Sequence, residues 1–234
     1  MIVDKEKDEM LKTEGVKFLP FVGDNYELGI SFNEEGKLVL GTEAMPGKRV
    51  LVLGESHYCD EELSQEEMNS FTRDVLAVYF KARENGNRQP WMNTFLKFER
   101  ALANCVTDGQ RPSDVTDPSY SLNIWNHLIF YNYLQVSLYG TRMSGDEEDY
   151  DAAANPFFKL LELYKPDYVI VWGKRLYNSL PEDNGHRGKE VTDICMSSWI
   201  YDICGHEIKI LPIYHPSVGF SWDFWNEIIV DFFK

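Results

Sequence analysis

Four consecutive side chains in the stretch Val50–Cys59, VLVLGESHYC, can bond or exchange protons, and they follow an apolar run that stops on a glycine. Glu55 can orient water or stabilise a growing positive charge. It can equally be an acid that complements the dipole of a following helix. Ser56, His57 and Tyr58 are candidate ligand contacts, and His57 and Tyr58 are also ordinary hydrogen-bonded structural residues. Gly54 permits a sharp turn or a close approach to a ligand. The second group is YHPSVGFSW, in which Pro216 restricts the backbone of His215, and Ser217 with nearby N–H groups suits an anion such as phosphate. An ordinary turn with a solvent-facing histidine would read the same way. Asn132 interrupts an apolar run, where an unpaired amide costs about 1–3 kcal/mol. The edge of a planar heterocycle would satisfy that amide, and so would a neighbouring turn.

Elements must bring these groups together. Apolar runs predict strands at 49–53, 128–134, 168–172 and 207–213, and helical patterns lie near 62–84, 91–104, 155–164, 173–180 and 222–233. Continuous apolar strands alternating with helices predict an α/β three-layer sandwich around a central, mostly parallel four-stranded sheet. Each strand ends on unusual residues: Gly54-Glu55-Ser56-His57, Asn132 with Gln135, Gly173-Lys174, and His215-Pro216-Ser217. Ligands of open α/β sheets bind at the carboxyl ends of the strands, so the four ends define one candidate cleft. Residues 1–20 predict a short charged helix and a turn at Pro20, and residues 26–41 a β-hairpin turning at Asn33-Glu34-Glu35-Gly36. The expected organisation is an N-terminal extension and hairpin over 1–47, then one compact unit over 48–234. The acidic segment 146–151 reads as a solvated loop.

Composition narrows the class. The 234 residues include 38 Asp and Glu against 23 Lys and Arg, a formal net charge of -15. That balance opposes general affinity for nucleic acid. No run approaches the roughly 20 apolar residues of a membrane helix. The charged start MIVDKEKDEM has no apolar signal core. Cys59, Cys105, Cys195 and Cys204 are scattered and read as free thiols of a reducing cytoplasm. A cytoplasmic monomer without metal or cofactor is expected.

These residues carry a resemblance. VLVLGESHYC resembles the first motif of the uracil-DNA glycosylase superfamily, RQPWMNTFLKFERAL its helix entry, LIFYNYLQ its base-reading strand, DYVIVWGK its next strand, and LPIYHPS its His-Pro-Ser motif; together they span roughly residues 48–234. The resemblance implies hydrolysis of the N-glycosidic bond of a flipped uracil or related base in DNA. It implies Glu55 and His215 as catalytic, with His215 stabilising the departing base. Asn132 would read the base edge, Tyr58 wall the pocket and Phe71 stack on the base. Gly54 and Ser56 would line the pocket, Ser217 would touch phosphate, and Val218-Gly219-Phe220 would form a wedge. The chain departs from the pattern at Ser56, where one branch has a water-activating Asp, and at His57, where a Pro is usual. Iron–sulfur cysteine ligands are not recognisable. Asp60, Glu61, Glu62, Glu66 and Glu67 flank the groove with the wrong charge for DNA, while Arg73, Lys81, Arg83, Arg88, Lys97 and Arg100 are available for a local basic face. Three readings stay open: a glycosylase, a non-catalytic nucleobase- or nucleotide-binding module of the same fold, and a small-molecule hydrolase.

Overall fold

The computed structural model describes residues 1–103, 119–140, 143–191, 196–217 and 219–234. Cys105, Cys195 and Val218 lie outside the described residues. The order is α1 (Lys5–Thr13), β1 (Phe21–Val22), β2 (Ile30–Phe32), β3 (Leu38–Leu40), β4 (Val50–Gly54), β5 (His57–Tyr58), α2 (Gln65–Glu84), α3 (Asn93–Leu102), α4 (Ser119–Trp125), β6 (Leu128–Asn132), β7 (Ser137–Leu138), α5 (Glu147–Tyr164), β8 (Tyr168–Trp172), α6 (Lys174–Asn178), β9 (Gly185–Val191), β10 (Met196–Ile203), β11 (His206–Ile213) and α7 (Trp222–Phe232).

The main sheet has seven strands in the order β1-β6-β4-β8-β11-β10-β9. Its middle four, β6, β4, β8 and β11, are parallel and coincide with the four apolar runs. The expected four-stranded sheet is therefore too small. β1 adds antiparallel to β6, and β10 and β9 extend the other side antiparallel, making the sheet mixed. Apolar runs find strands that are buried on both faces. β9, GHRGKEV, has no buried residue and so gives no such signal. The hairpin β2–β3 forms as expected: Asn33 Oδ1 accepts from the Glu35 and Lys37 N–H groups, and Gly36 takes the positive φ.

Alternation along the central strands builds two cores. Val50, Val52, Leu128, Phe130, Ile170, Trp172, Leu211 and Ile213 face one layer with residues of α2, α3, α4 and α7. Leu51, Leu53, Ile129, Tyr131, Val169, Val171, Ile208 and Ile210 face the other with residues of α1, α5 and α6. Full burial of each such side chain contributes about 1.5–3 kcal/mol.

One expectation about a loop needs correction. The acidic segment 146–151 is the start of α5: Asp146 caps the Asp149 N–H, Asp149 returns a bond to the Asp146 N–H, and Glu147 and Glu148 sit in the first turn. Carboxylates there satisfy free N–H groups and oppose the helix dipole, so acidity starts the helix rather than excluding it. Among the described residues no helix is long and apolar enough to cross a membrane.

Candidate functional site

Register gathers the strand ends. Gly54 pairs with Asn132, and Ile213 with Trp172, so Glu55, Tyr133, Gly173 and Tyr214 all leave the sheet at one rim. Trp172 is held among Phe95, Phe98 and Phe130, with ring centroids 5.1–5.8 Å apart, and the His215 ring meets it edge to face at 6.1 Å. Asn132 follows Leu128 and Phe130 in the alternation, so it lies on the same side of the sheet as Trp172.

Glu55 turns the other way, towards α5 and α6. Arg175 grips it with both forks, Nε to Oε1 at 2.7 Å and Nη2 to Oε2 at 2.6 Å. The Tyr150 hydroxyl donates to Oε1 as well. Both oxygens are therefore engaged, which makes Glu55 a fixed anion rather than an open proton acceptor. Burial, then the bond to Glu55, raise the Tyr150 pKa, so it remains a donor at neutral pH. Glu55 raises the Arg175 pKa, and the guanidinium also donates to the Met143 carbonyl at 3.2 Å. The Arg175 side chain keeps 49% of its surface exposed, leaving its outer edge open to solvent.

His215 lies beside this pair, part of its surface open to solvent while its ring is set edge to face against Trp172. Desolvation in the rim lowers its pKa, Glu55 pulls it up and Arg175 pushes it down; the net shift is downward. At neutral pH the ring is uncharged and offers one N–H. Lys174 lies over the Tyr214 ring at 4.7 Å. Lys97 reaches from α3 to donate to the Ser217 carbonyl, and the Ser217 N–H returns to the His215 carbonyl at 2.6 Å. Ser217 itself is exposed at this turn.

The remaining candidates form a different structure. His57 is buried, and its Nε2 lies 2.9 Å from Thr72 Oγ1. Asn132 Nδ2 lies 3.0 and 3.1 Å from the two His57 ring nitrogens. Phe71 packs edge to face on His57 at 4.9 Å, and Phe18 at 4.8 Å. The side chains expected to read and stack a base thus hold the protein's own imidazole. Asn132 Oδ1 sits against Gly54, where an added Cβ would fall 2.1 Å away. Gly54 is needed for that close approach. Burial lowers the His57 pKa to about 3, so the ring is neutral. Tyr58, on β5, is exposed and close enough to Arg175 to bias its charge. Ser56 Oγ is buried with no partner among the described residues.

Three sequence expectations change at this point. Gln135, a strand-end candidate, is a buried clamp: Oε1 accepts from the Lys17 and Phe18 N–H groups, and Nε2 donates to Tyr131 Oη and two carbonyls. Arg73 belongs to no basic face, because it is buried in a two-pronged pair with Asp8 at 2.7 and 2.9 Å. Of the five cations named with it, Arg88 bonds Asn93 and Lys97 the Ser217 carbonyl. Asp60, Glu61, Glu62, Glu66 and Glu67 are exposed, as their charge demands.

Sequence reasoning missed Arg175 and Tyr150. Arg175 had a signal, standing two residues past the strand-end Gly173; Tyr150 was hidden inside the segment read as a loop. No family model matches the chain, and neither does any curated protein sequence.

Proposed function

We propose that this chain is a uracil-DNA glycosylase-like protein that takes a nucleotide at the carboxyl rim of its parallel strands and hydrolyses its N-glycosidic bond. The observation that carries the reading is that Glu55 and His215, 160 positions apart, meet at one rim closely enough for the Glu55 charge to act on the imidazole. Hydrolysis breaks the bond between C1′ and the base nitrogen. The bonding pair leaves with the base, the oxygen of water adds to C1′, and the released proton neutralises the base. A neutral His215 donates an N–H to the base as negative charge grows there. Glu55, fixed by Arg175 and Tyr150, supplies an anion on the sugar side, and the exposed edge of Arg175 suits a phosphate.

The second reading, binding without cleavage, is favoured by one observation: the Asn132 amide nitrogen is already engaged by His57. A base would then be held at the rim without an amide reading its edge.

Uracil-containing single- and double-stranded oligonucleotides distinguish the two. Excision on a denaturing gel, lost in His215→Ala, supports the first. Salt-sensitive binding by fluorescence anisotropy with no excision establishes the second. Neither excision nor binding removes both.

A further inference from the structure

We infer a second ligand site, a cleft between α6 and the β9–β10 strands that accepts a planar heterocycle joined to a phosphate. The choice of ligand class rests on the proposed function; the cleft does not. Its volume is about 460 Å³, within the range of small-molecule sites. Tyr177, Arg187, Met196, Trp199, Tyr201 and Glu182 are among its lining residues. Neither Glu55 nor His215 takes part.

The rings are fixed in place. Tyr177 Oη donates to the Ser197 carbonyl and Tyr201 Oη to the Pro181 carbonyl, each at 2.5 Å. With its hydroxyl committed to backbone, what the half-buried Tyr177 offers a ligand is aromatic surface, whereas Tyr201 is fully buried and offers none. Trp199 lies down because position 185 is glycine: a Cβ there would fall 2.1 Å from its Nε1. Arg187 stands directly opposite Trp199 in the antiparallel ladder, so the two side chains share a face. Among the described residues the exposed Arg187 side chain has no hydrogen-bonded or ion-paired partner, and its charge is felt at Tyr177. Aromatic surface beside a free guanidinium is the arrangement that stacks a base and holds its phosphate. Glu182 lines the same cleft and offsets part of that charge, which favours the single charge of a phosphodiester over the double charge of a monoester.

Tyr177 stands on α6 with Arg175, the arginine that holds Glu55, but at i and i+2 the two side chains leave the helix on different sides, so the cleft and the rim are separate surfaces.

Nuclear magnetic resonance of the indole N–H groups tests this, with Trp199→Phe assigning the Trp199 signal. That N–H is buried without an acceptor among the described residues, which makes it a sensitive reporter. The full chain is titrated separately with uridine monophosphate and with a four-residue thymidine oligonucleotide. The expected result is a saturable shift of the Trp199 signal, weakened about 10-fold or more by Arg187→Gln, as for loss of a charge-assisted contact, and retained in His215→Ala. A response to the oligonucleotide alone assigns the cleft to a strand, and a response to the monophosphate assigns it to a free nucleotide. No shift with either probe, unchanged affinity in Arg187→Gln, or loss of binding in His215→Ala overturns the inference. Because His215→Ala removes only the rim chemistry, failed excision and failed cleft binding are separate results.

Discussion

Replacing Gly54 by Ala places a methyl group 2.1 Å from Asn132 Oδ1 and 3.3 Å from Asn132 Cγ and Phe130 Cζ. Real Cβ atoms do not approach an oxygen so closely, and Asn132 cannot simply retreat. It is buried, and its Nδ2 is held on the ring of His57, which is itself clamped by Thr72, Phe18 and Phe71. Overpacking a core in this way costs about 1–3 kcal/mol, and driving the amide off His57 leaves buried polar groups unpaired for about 1–3 kcal/mol more. Gly54→Ala should therefore lose about 2–6 kcal/mol in urea denaturation. The decisive measurement is a double-mutant cycle. With Asn132 already truncated to Ala, only the 3.3 Å approach to Phe130 remains, and a ring edge can yield by a few tenths of an ångström. Gly54→Ala should then cost under about 1 kcal/mol, giving a coupling above about 1 kcal/mol between neighbouring sites. Additive losses would show that Gly54 serves backbone conformation and not the seat of Asn132.

The other predictions concern charge. The folded pKa of His57 is lowered to about 3 from 6.5, so below pH 6.5 the unfolded chain binds the extra proton; stability should fall by up to about 1.4 kcal/mol per pH unit between 6.5 and 3. His57→Gln should flatten that slope, and an unchanged slope would place its source elsewhere. Asp8→Ala strands a buried guanidinium and should cost about 3–5 kcal/mol, whereas Asp8→Leu with Arg73→Met should recover much of it, both read by denaturant midpoint. Glu55→Gln should cost about 1–3 kcal/mol of stability, because the Glu55 side chain is only 12% exposed and accepts charge-assisted bonds from Arg175 and Tyr150. If the chain excises uracil, that substitution should lower turnover by about 100-fold or more, the size of losing one preplaced electrostatic group, and turnover that survives it removes Glu55 from the mechanism.

The middle of the sheet was legible because β4, β6, β8 and β11 are apolar runs, the signature of strands covered on both faces. Its edges were not. β10, MSSWIYDI, neither runs continuously apolar nor alternates regularly and carries a register shift between Ser197 and Trp199, and β9 is a charged edge, as edges often are. Antiparallel edge strands take their place from pairing with a neighbour, which a one-dimensional pattern does not record. The start of α5 was misread because five acidic residues in six suggest solvent, while the decisive feature, the Asp146–Asp149 capping pair, depends on position within the segment.

Four residues in a row at the end of β4 suggested one site, and the chain makes two structures from them. Because side chains alternate, Gly54 and Glu55 face opposite layers. Glu55 goes to α5 and α6, where Tyr150 and Arg175 wait, and His57 goes to α2, where Thr72 and Phe71 enclose it. Proximity in sequence thus overstated how close these side chains stand, and separation understated it for Glu55 and His215, where the Glu55 charge reaches the imidazole. The two structures still communicate through the β4–β6 pair. Gly54 seats Asn132 from one side while His57 fixes it from the other. Next door the ladder continues as the Leu134 N–H donates to the Glu55 carbonyl at 2.9 Å. Glu55 stands on a backbone held by the packing of the His57 layer. Rigidity of that buried imidazole therefore helps to fix the backbone from which Glu55 reaches Tyr150 and Arg175.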